Sequence, residues 1–397
     1  MCALLPVELA RRFQELPPYV FGRLNAIKNA RRRAGEDVID LGMGNPTDPT
    51  PEPIINKLCE AVTDPRTHRY SVEADGLTNL KKEVAAFYER EYAVEADPDE
   101  EVVCTIGSKE GLSHMLLALM DPGDVAIVPT PAFPVHIHGV RLAGGSVLSI
   151  PLGTGDKFFD DLQMAVDNFR PKPKLLIVNF PHNPSTATVE LEFFERLVEF
   201  CRSREIFIIH DFAYSLITFD EYRAPSLLEA EGAKEVGVEF SSMSKSFNMA
   251  GWRVGFCVGH PRVVQGLAGI KGYFDYGLFM PVQIASIIAL RHCRDAAVDQ
   301  AQIYQARRDT LCDGLERIGW PVERPRGTMF VWVRIPESYS HMSSLDFSLL
   351  LLEEANVAVA PGEAFGNGGE RYLRMALVEN EQRLRQAVRQ MGRALEL

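Results

Sequence analysis

The chain has 397 residues, enough to bury a large core and, by surface-to-volume scaling, to divide into two lobes. With 46% apolar and 24% charged residues, it reads as an ordinary globular protein rather than a collagen-like, low-complexity or disordered one. Its formal net charge of −12 argues against a nucleic-acid-binding surface, which needs a basic excess or a basic stripe.

The N-terminal MCALLPVELARRF carries only a brief apolar run and no basic start, so it does not read as a secretory signal. No stretch approaches membrane-spanning length, and a cytoplasmic location is expected. RRRAG at 31–35 is too short for a basic patch and reads as a solvated helix end. The seven cysteines, at 2, 59, 104, 201, 257, 293 and 312, are odd in number and contain no CxxC. Neither a disulfide framework nor a zinc site is expected.

Seven short apolar, β-branched runs follow along the chain: VVCTIG (102–107), VAIVP (125–129), SVLSIPL (146–152), KLLIVNF (174–180), IFIIHD (206–211), VEFSSM (238–243) and RVGFCVG (253–259). Helix-length segments such as 109–121 and 189–204 separate several of them. Strands that are apolar throughout and spaced by helices predict a mostly parallel α/β sheet covered on both faces. After about residue 285 a long helical stretch (285–317) leads to GTMFVWVRI and YLRMALV, a smaller α+β lobe. The predicted division is 1–48 packing with the small lobe, 49–288 the large domain and 289–397 the small one. The cleft between lobes is the default ligand site.

In open α/β sheets ligands bind beyond the carboxyl ends of the strands. The first such end gives Gly107-Ser108-Lys109-Glu110-Gly111, whose backbone N–H groups and Ser108 hydroxyl suit a phosphate, or equally a plain helix start. The second gives Phe133, an aromatic ring at the sheet edge that could instead be core. The fourth gives Pro181-His182-Asn183-Pro184, a rigid turn that aims Asn183. The fifth gives Asp211 and Tyr214; an acid ending an apolar strand needs a cationic partner unless it caps a helix. The sixth delivers SSMSKSFNMAGWRVGF, in which Lys245 has no charged neighbour until Arg253. One ligand accounts for all five ends: pyridoxal 5′-phosphate. It needs a phosphate cradle with a cation, an aromatic face, a carboxylate at the ring nitrogen, donors to the phenolic oxygen and an amine for a Schiff base.

Taken in order, LGMGNPTDPTP (41–51), HRYSVEADGLTNLKKEVAAFY (68–88), TIGSKEG, NFPHNPSTATVELEFFE, HDFAYSLITFD, SMSKSFNMAGWRVGF and RYLRMALVEN resemble the blocks of the class I/II aminotransferases of fold type I, over nearly the whole chain. Within that family MGNPTDPTP, VELEFFE and YFDYGLFMPVQ are most similar to bacterial glutamate–pyruvate (alanine) aminotransferases. The next nearest wording is that of LL-diaminopimelate aminotransferases. The resemblance implies a lysine–cofactor bond at Lys245, a ring-nitrogen partner in Asp211, and phenolate donors in Tyr214 and Asn183. It implies ring stacking by Phe133 and a phosphate site of Ser108, the Lys109 backbone, Ser242, Ser244 and Arg253. Arg374, with Gly42 nearby, would clamp the substrate α-carboxylate; a strand-end salt bridge is the plainer alternative for that arginine. Tyr70 would reach the phosphate of a second subunit, which implies a homodimer with shared sites.

One departure bears on substrate choice. Aspartate aminotransferases bind a second substrate carboxylate through an arginine in the region matching 273–281, and YFDYGLFMP has no basic residue. A small neutral amino acid such as alanine is therefore expected. The same fold also hosts lyases, and the residues alone leave that reaction open. A ligand-sensing regulator of this fold needs an N-terminal DNA-binding domain, and only about 45 residues precede the core. GTGDKF (153–158) lacks the third glycine of a dinucleotide loop, and His136-Ile-His138, read as lying on a strand, has no further ligand to make a metal site. No metal is expected.

Overall fold

The computed structural model describes residues 7–17, 20–71 and 73–396; Cys2 and the rest of residues 1–6 lie outside the described residues. Its strands are β1 (Ile39–Asp40), β2 (Val102–Thr105), β3 (Val125–Thr130), β4 (Ser146–Pro151), β5 (Leu175–Asn179), β6 (Phe207–Asp211), β7 (Gly237–Ser242), β8 (Gly255–Gly259), β9 (Phe330–Arg334), β10 (Val357–Ala358), β11 (Ala360–Pro361) and β12 (Tyr372–Ala376). All seven runs predicted as strands are present as β2 to β8 and form one seven-stranded sheet, ordered β2-β8-β7-β6-β5-β3-β4. Only β8 runs antiparallel to its neighbours.

The apolar runs are explained by two-sided burial. Ile127, Leu176 and Val178 feed the core on one face, while Ala126, Val128, Leu175 and Ile177 of the same strands feed the other. Alternation cannot show in a strand whose both faces are covered, so these segments read as continuous apolar runs. Glu239 is the exception within β7. Its buried carboxylate accepts from Tyr88 Oη, Ser226 Oγ and Leu227 N, each at 2.8 Å, and lies 2.8 Å from His210 Nδ1. That set of partners compensates its desolvation and ties β6 to β7 beneath the strand tips.

A second core belongs to the small lobe, whose antiparallel sheet is ordered β11-β12-β9. Ile39 and Leu41 from the N-terminal segment are buried in that core, and β1 pairs in parallel with β10. The predicted continuous helix over 285–317 is two helices, Met280–His292 and Arg294–Arg317, separated at Cys293. No Gly or Pro marks the break. The first helix packs on Glu52–Val62 in the large lobe and the second on Glu381–Ala394 in the small one, so the turn is imposed by two different cores. Cys59, Cys104, Cys201, Cys257, Cys293 and Cys312 are all free thiols. Among the described residues no helix is long and apolar enough to cross a membrane.

Candidate active site

Strand direction gathers the site. The carboxyl ends of the parallel strands share one edge of the sheet, where β-register sets Asn179 beside Asp211 and Thr105 beside Gly255. Because β8 runs backwards, its amino end lies at that same edge, and Arg253, two residues before it, arrives there too. A cavity of about 840 Å³ opens at this edge, lined by Ser108, Lys109, Phe133, Asn183, Asp211, Tyr214, Ser242, Ser244, Lys245, Arg253 and Arg374 among others. Two residues singled out in the sequence stand apart from that lining. Gly42 reaches the site through its carbonyl, which accepts from Arg374 Nη2 at 3.1 Å. Tyr70 is 85% exposed on the surface, with its ring edge-on to Tyr276 at 5.7 Å.

Lys245 sits in the short helix Met243–Ser246 that follows β7, and its Nζ donates to the Gly44 carbonyl at 2.6 Å. Most of the side chain is enclosed, and the remaining exposed area faces the cavity. Burial, then the positive charges of Arg374 and Arg253, pull its pKa down to about 8. An amine in that range is present in reactive, unprotonated form at physiological pH far more often than an ordinary lysine.

Asp211 is buried at the end of β6, with Oδ2 3.0 Å from His136 Nε2. Its other oxygen, Oδ1, is buried and has no hydrogen-bond partner among the described residues. An unpartnered buried acceptor costs on the order of 1–3 kcal/mol, more when charged. A cavity-lining carboxylate in that state is shaped for a donor the ligand brings. His136 departs from the sequence reading: it lies on the helix Pro134–Leu142, not on a strand. Phe133-Pro134 starts that helix with proline in its first turn, and three helical positions mimicked a strand alternation. This histidine, weighed in the sequence as a metal ligand, is the side chain that meets Asp211.

The phosphate-like cradle rests on close approach. Gly107 has φ +76°, and a Cβ there would meet Arg253 Nη2 at 2.4 Å; a Cβ on Gly255 would meet the Ser108 backbone nitrogen at 2.7 Å. Gly107 precedes the helix Ser108–Leu119, whose first N–H groups and dipole favour an anion. Arg253 donates to the carbonyls of Ala250 (3.1 Å) and Ile106 (3.5 Å) and makes no ion pair among the described residues. Ser242 Oγ accepts from the Ser244 amide at 3.2 Å. Lys109 Nζ stands 5.5 Å from the Phe133 ring centroid; burial, then Arg253, lowers its pKa.

Arg374, in the middle of β12, is buried between aromatic faces, with its guanidinium carbon 4.0 Å from the Phe330 centroid and 4.8 Å from that of Phe365. Its Nη1 donates to Asn183 Oδ1 at 2.8 Å, leaving the Asn183 amide nitrogen 3.5 Å from Tyr214 Oη. Burial raises the Tyr214 phenol pKa, with Arg374 opposing. Arg374 thereby joins the small lobe to the two donors beside Asp211. The arrangement can bind a carboxylate at one end and an anion at the other, with an amine and an acceptor between them. Reading strand ends missed His136, which meets Asp211, and Asn25, Lys28, Arg32, Phe330 and Phe365, which line the cavity from elements distant in sequence.

The family model for "Aminotransferase class I and II" matches residues 36–391. The glutamate-pyruvate aminotransferase of Escherichia coli (strain K12) is 47% identical over 378 residues, covering 95% of this chain and 92% of that protein. An LL-diaminopimelate aminotransferase of Moorella thermoacetica is 43% identical, covering 97% of this chain and 98% of its own. Among solved structures, substrate-bound BacF from Bacillus subtilis superposes with a TM-score of 0.90 at 35% identity, covering 98% of each chain. An aspartate aminotransferase from Thermotoga maritima gives 0.89 at 27% identity, covering 98% and 100%. The fold is therefore that of the fold type I enzymes, and the chain belongs to the class I and II aminotransferases: it is a transaminase.

Proposed function

We propose that this transaminase works with pyridoxal 5′-phosphate and exchanges an amino group between alanine and 2-oxoglutarate by a ping-pong mechanism. The observation that carries the cofactor assignment is the unpartnered, buried Oδ1 of Asp211 facing the same cavity as the low-pKa amine of Lys245. The bound cofactor supplies an aldehyde that takes up the amino group and a ring that withdraws electrons from it. Asp211 Oδ1 would accept from the ring nitrogen, while His136 holds Oδ2. Asn183 and Tyr214 would donate to the phenolic oxygen, and Phe133 would cover the ring. Ser108, the Lys109 amide, Ser242, Ser244 and Arg253 would hold the phosphate. Lys245 Nζ would be the amine that holds the cofactor and the base placed to move the substrate Cα proton. Arg374 and the Gly42 backbone fix the α-carboxylate, so the Cα–H bond is held in one orientation.

Alanine as donor is supported by the relative at 47% identity and by 273–281, where Tyr273, Phe274, Tyr276 and Phe279 bring aromatic surface and no cation. The same surface supports a homodimer. Tyr273 is 93% exposed, and Tyr70 stands edge-on to Tyr276, so the strip that would bury against a second copy carries the phenol meant for the neighbouring site. The lobes divide near 49 and 288, with the N-terminal segment siding with the small lobe. Free thiols throughout the described residues support a reducing, cytoplasmic setting. LL-diaminopimelate is the second reading, favoured by relatives at 43% and 41% identity.

The deciding experiment mixes purified holoenzyme with alanine, glutamate, aspartate, methionine or LL-diaminopimelate and follows loss of the cofactor's visible absorbance. Rapid half-reactions with alanine and glutamate but not LL-diaminopimelate are expected; the reverse pattern moves the enzyme to the second reading. A further expectation follows from Lys245. Only the neutral amine can bond an aldehyde, and a lowered pKa means that form dominates above about 8. The rate at which cofactor-free protein takes up pyridoxal phosphate should rise with pH and reach its half-maximum near 8. A half-maximum near 10 would show an ordinary lysine.

A further inference from the structure

Under the alanine/2-oxoglutarate reading, one cavity must seat both a methyl side chain and a longer one ending in carboxylate, and 273–281 offers no cation for the latter. The cations lining the cavity can be sorted by what holds them. Lys245 and Arg374 belong to the reacting end, and Arg253 and Lys109 stand around Gly107 and Phe133. Lys28 and Arg32 remain. Both lie on the helix Val20–Arg33, where Asn25, Lys28 and Arg32 share one face at helical spacing and line the cavity together.

Lys28 is only 7% exposed, an unusual degree of enclosure for a lysine. Its ammonium donates to Asn25 Oδ1 at 2.7 Å and to Asp40 Oδ2. These use two of the three donors an ammonium carries. Asp40 Oδ1 accepts from the Gly42 amide at 3.0 Å, and the Gly42 carbonyl accepts from Arg374. Lys28 is thus wired to the α-carboxylate clamp through one carboxylate and one residue of backbone. Arg32 Nη2 donates to the Val38 carbonyl at 3.1 Å, and Arg32 makes no ion pair among the described residues. Asp40 and Glu379 line the same cavity, so a charged distal group meets both signs there; Asp40 is already committed to Lys28 and Gly42.

We propose that Lys28, with Arg32 adding positive charge at the mouth, is the subsite for the distal carboxylate of a dicarboxylic substrate, from this chain's own N-terminal helix. Glutamate or 2-oxoglutarate takes the third donor of Lys28. Alanine ends short of it and leaves the Lys28–Asp40 pair as it stands. The plainer role for Lys28 is a structural tie between the N-terminal helix and β1, and the two make different predictions. A tie serves every substrate alike, whereas a subsite serves only those with a second carboxylate.

The test uses wild-type holoenzyme and three variants: Lys28→Met, Lys28→Arg and Arg32→Gln. It reads half-reaction kinetics with alanine and glutamate, and calorimetric binding of glutarate against butyrate. A charge-assisted hydrogen bond predicts that Lys28→Met lowers kcat/KM for glutamate and affinity for glutarate by about 10- to 100-fold. The losses with alanine and butyrate should be smaller by about tenfold or more. Lys28→Arg should retain most of the glutamate activity. Arg32→Gln, at an exposed position, should show a smaller loss confined to the dicarboxylates; if Lys28→Met does not fold, this variant decides. Equal losses with both amino acids, no loss with glutamate, or a wild type that binds glutarate no better than butyrate would overturn the subsite. A wild type that prefers glutarate yet fails to transaminate glutamate would instead sink the functional reading and leave the subsite standing.

Discussion

Replacing Lys245 by alanine should lower turnover by at least about 10⁴-fold and remove the visible absorbance of the bound cofactor. On the proposed function the variant loses two functions at once, the amine that bonds the cofactor and the base that moves the Cα proton, and positioned proton transfer alone is worth about 10²–10⁴. The result is informative only if the fold survives, and the structure says it should. The ammonium is enclosed and sits beside Arg374 and Arg253, and its lowered pKa records that the folded protein disfavours its charge. Its hydrogen bond is to the carbonyl of Gly44. Removing a disfavoured buried charge relieves desolvation and repulsion, offset in part by lost packing. Cofactor-free Lys245→Ala should therefore melt no lower than cofactor-free wild type in a calorimetric scan. Turnover within tenfold of wild type, with the fold intact, would remove Lys245 from the chemistry.

Much of the large lobe was legible because its strands, the edge strand β4 excepted, are buried on both faces and punctuated by turns. Periodicity cannot mislead where there is none to read, and β2 to β8 came out within two residues at every end. The strand tips were legible for the same reason: a polar residue ending an apolar run, such as Asp211, has few structural excuses. What the sequence hid was contact across long separations. His136 looked like half of a strand pair, and nothing local shows that its ring meets Asp211 75 residues away. RRRAG looked like a solvated helix end; Arg33 fits that description, but Arg32 lines the cavity and Arg31 pairs with Glu36. Lys28 gave no signal at all, since a lysine on a polar helix is ordinary until Asp40 and the cavity are placed around it. The break at Cys293 carries no Gly or Pro, because two cores rather than local propensity set it. Tyr70 is the opposite case. The resemblance singled it out, and the structure places it on the surface, apart from the cavity lining.

Arg374→Ala should raise KM for the amino acid and also cut kcat, lowering kcat/KM by about 10²–10³-fold, which corresponds to about 3–4 kcal/mol of lost transition-state binding. The double effect follows from where the arginine sits. Its guanidinium is held between Phe330 and Phe365 in a buried site, where, on the proposed function, the substrate carboxylate would pair with it in two-pronged fashion and at low local dielectric. Loss of that grip weakens ground-state binding. The same guanidinium also donates to Asn183 Oδ1 and so orients the asparagine amide toward Tyr214. Without it the substrate pivots and the amide is free to turn, so the Cα–H bond is less often aligned and the chemical step slows. Arg374→Lys separates the two causes: it keeps a positive charge but cannot span Asn183, Gly42 and both carboxylate oxygens. If charge alone mattered, Lys would recover most of the loss. The geometry predicts that it recovers KM in part and kcat hardly at all, as measured by single-turnover kinetics with alanine. Wild-type kinetics in either variant would mean that β12 does not carry the carboxylate clamp.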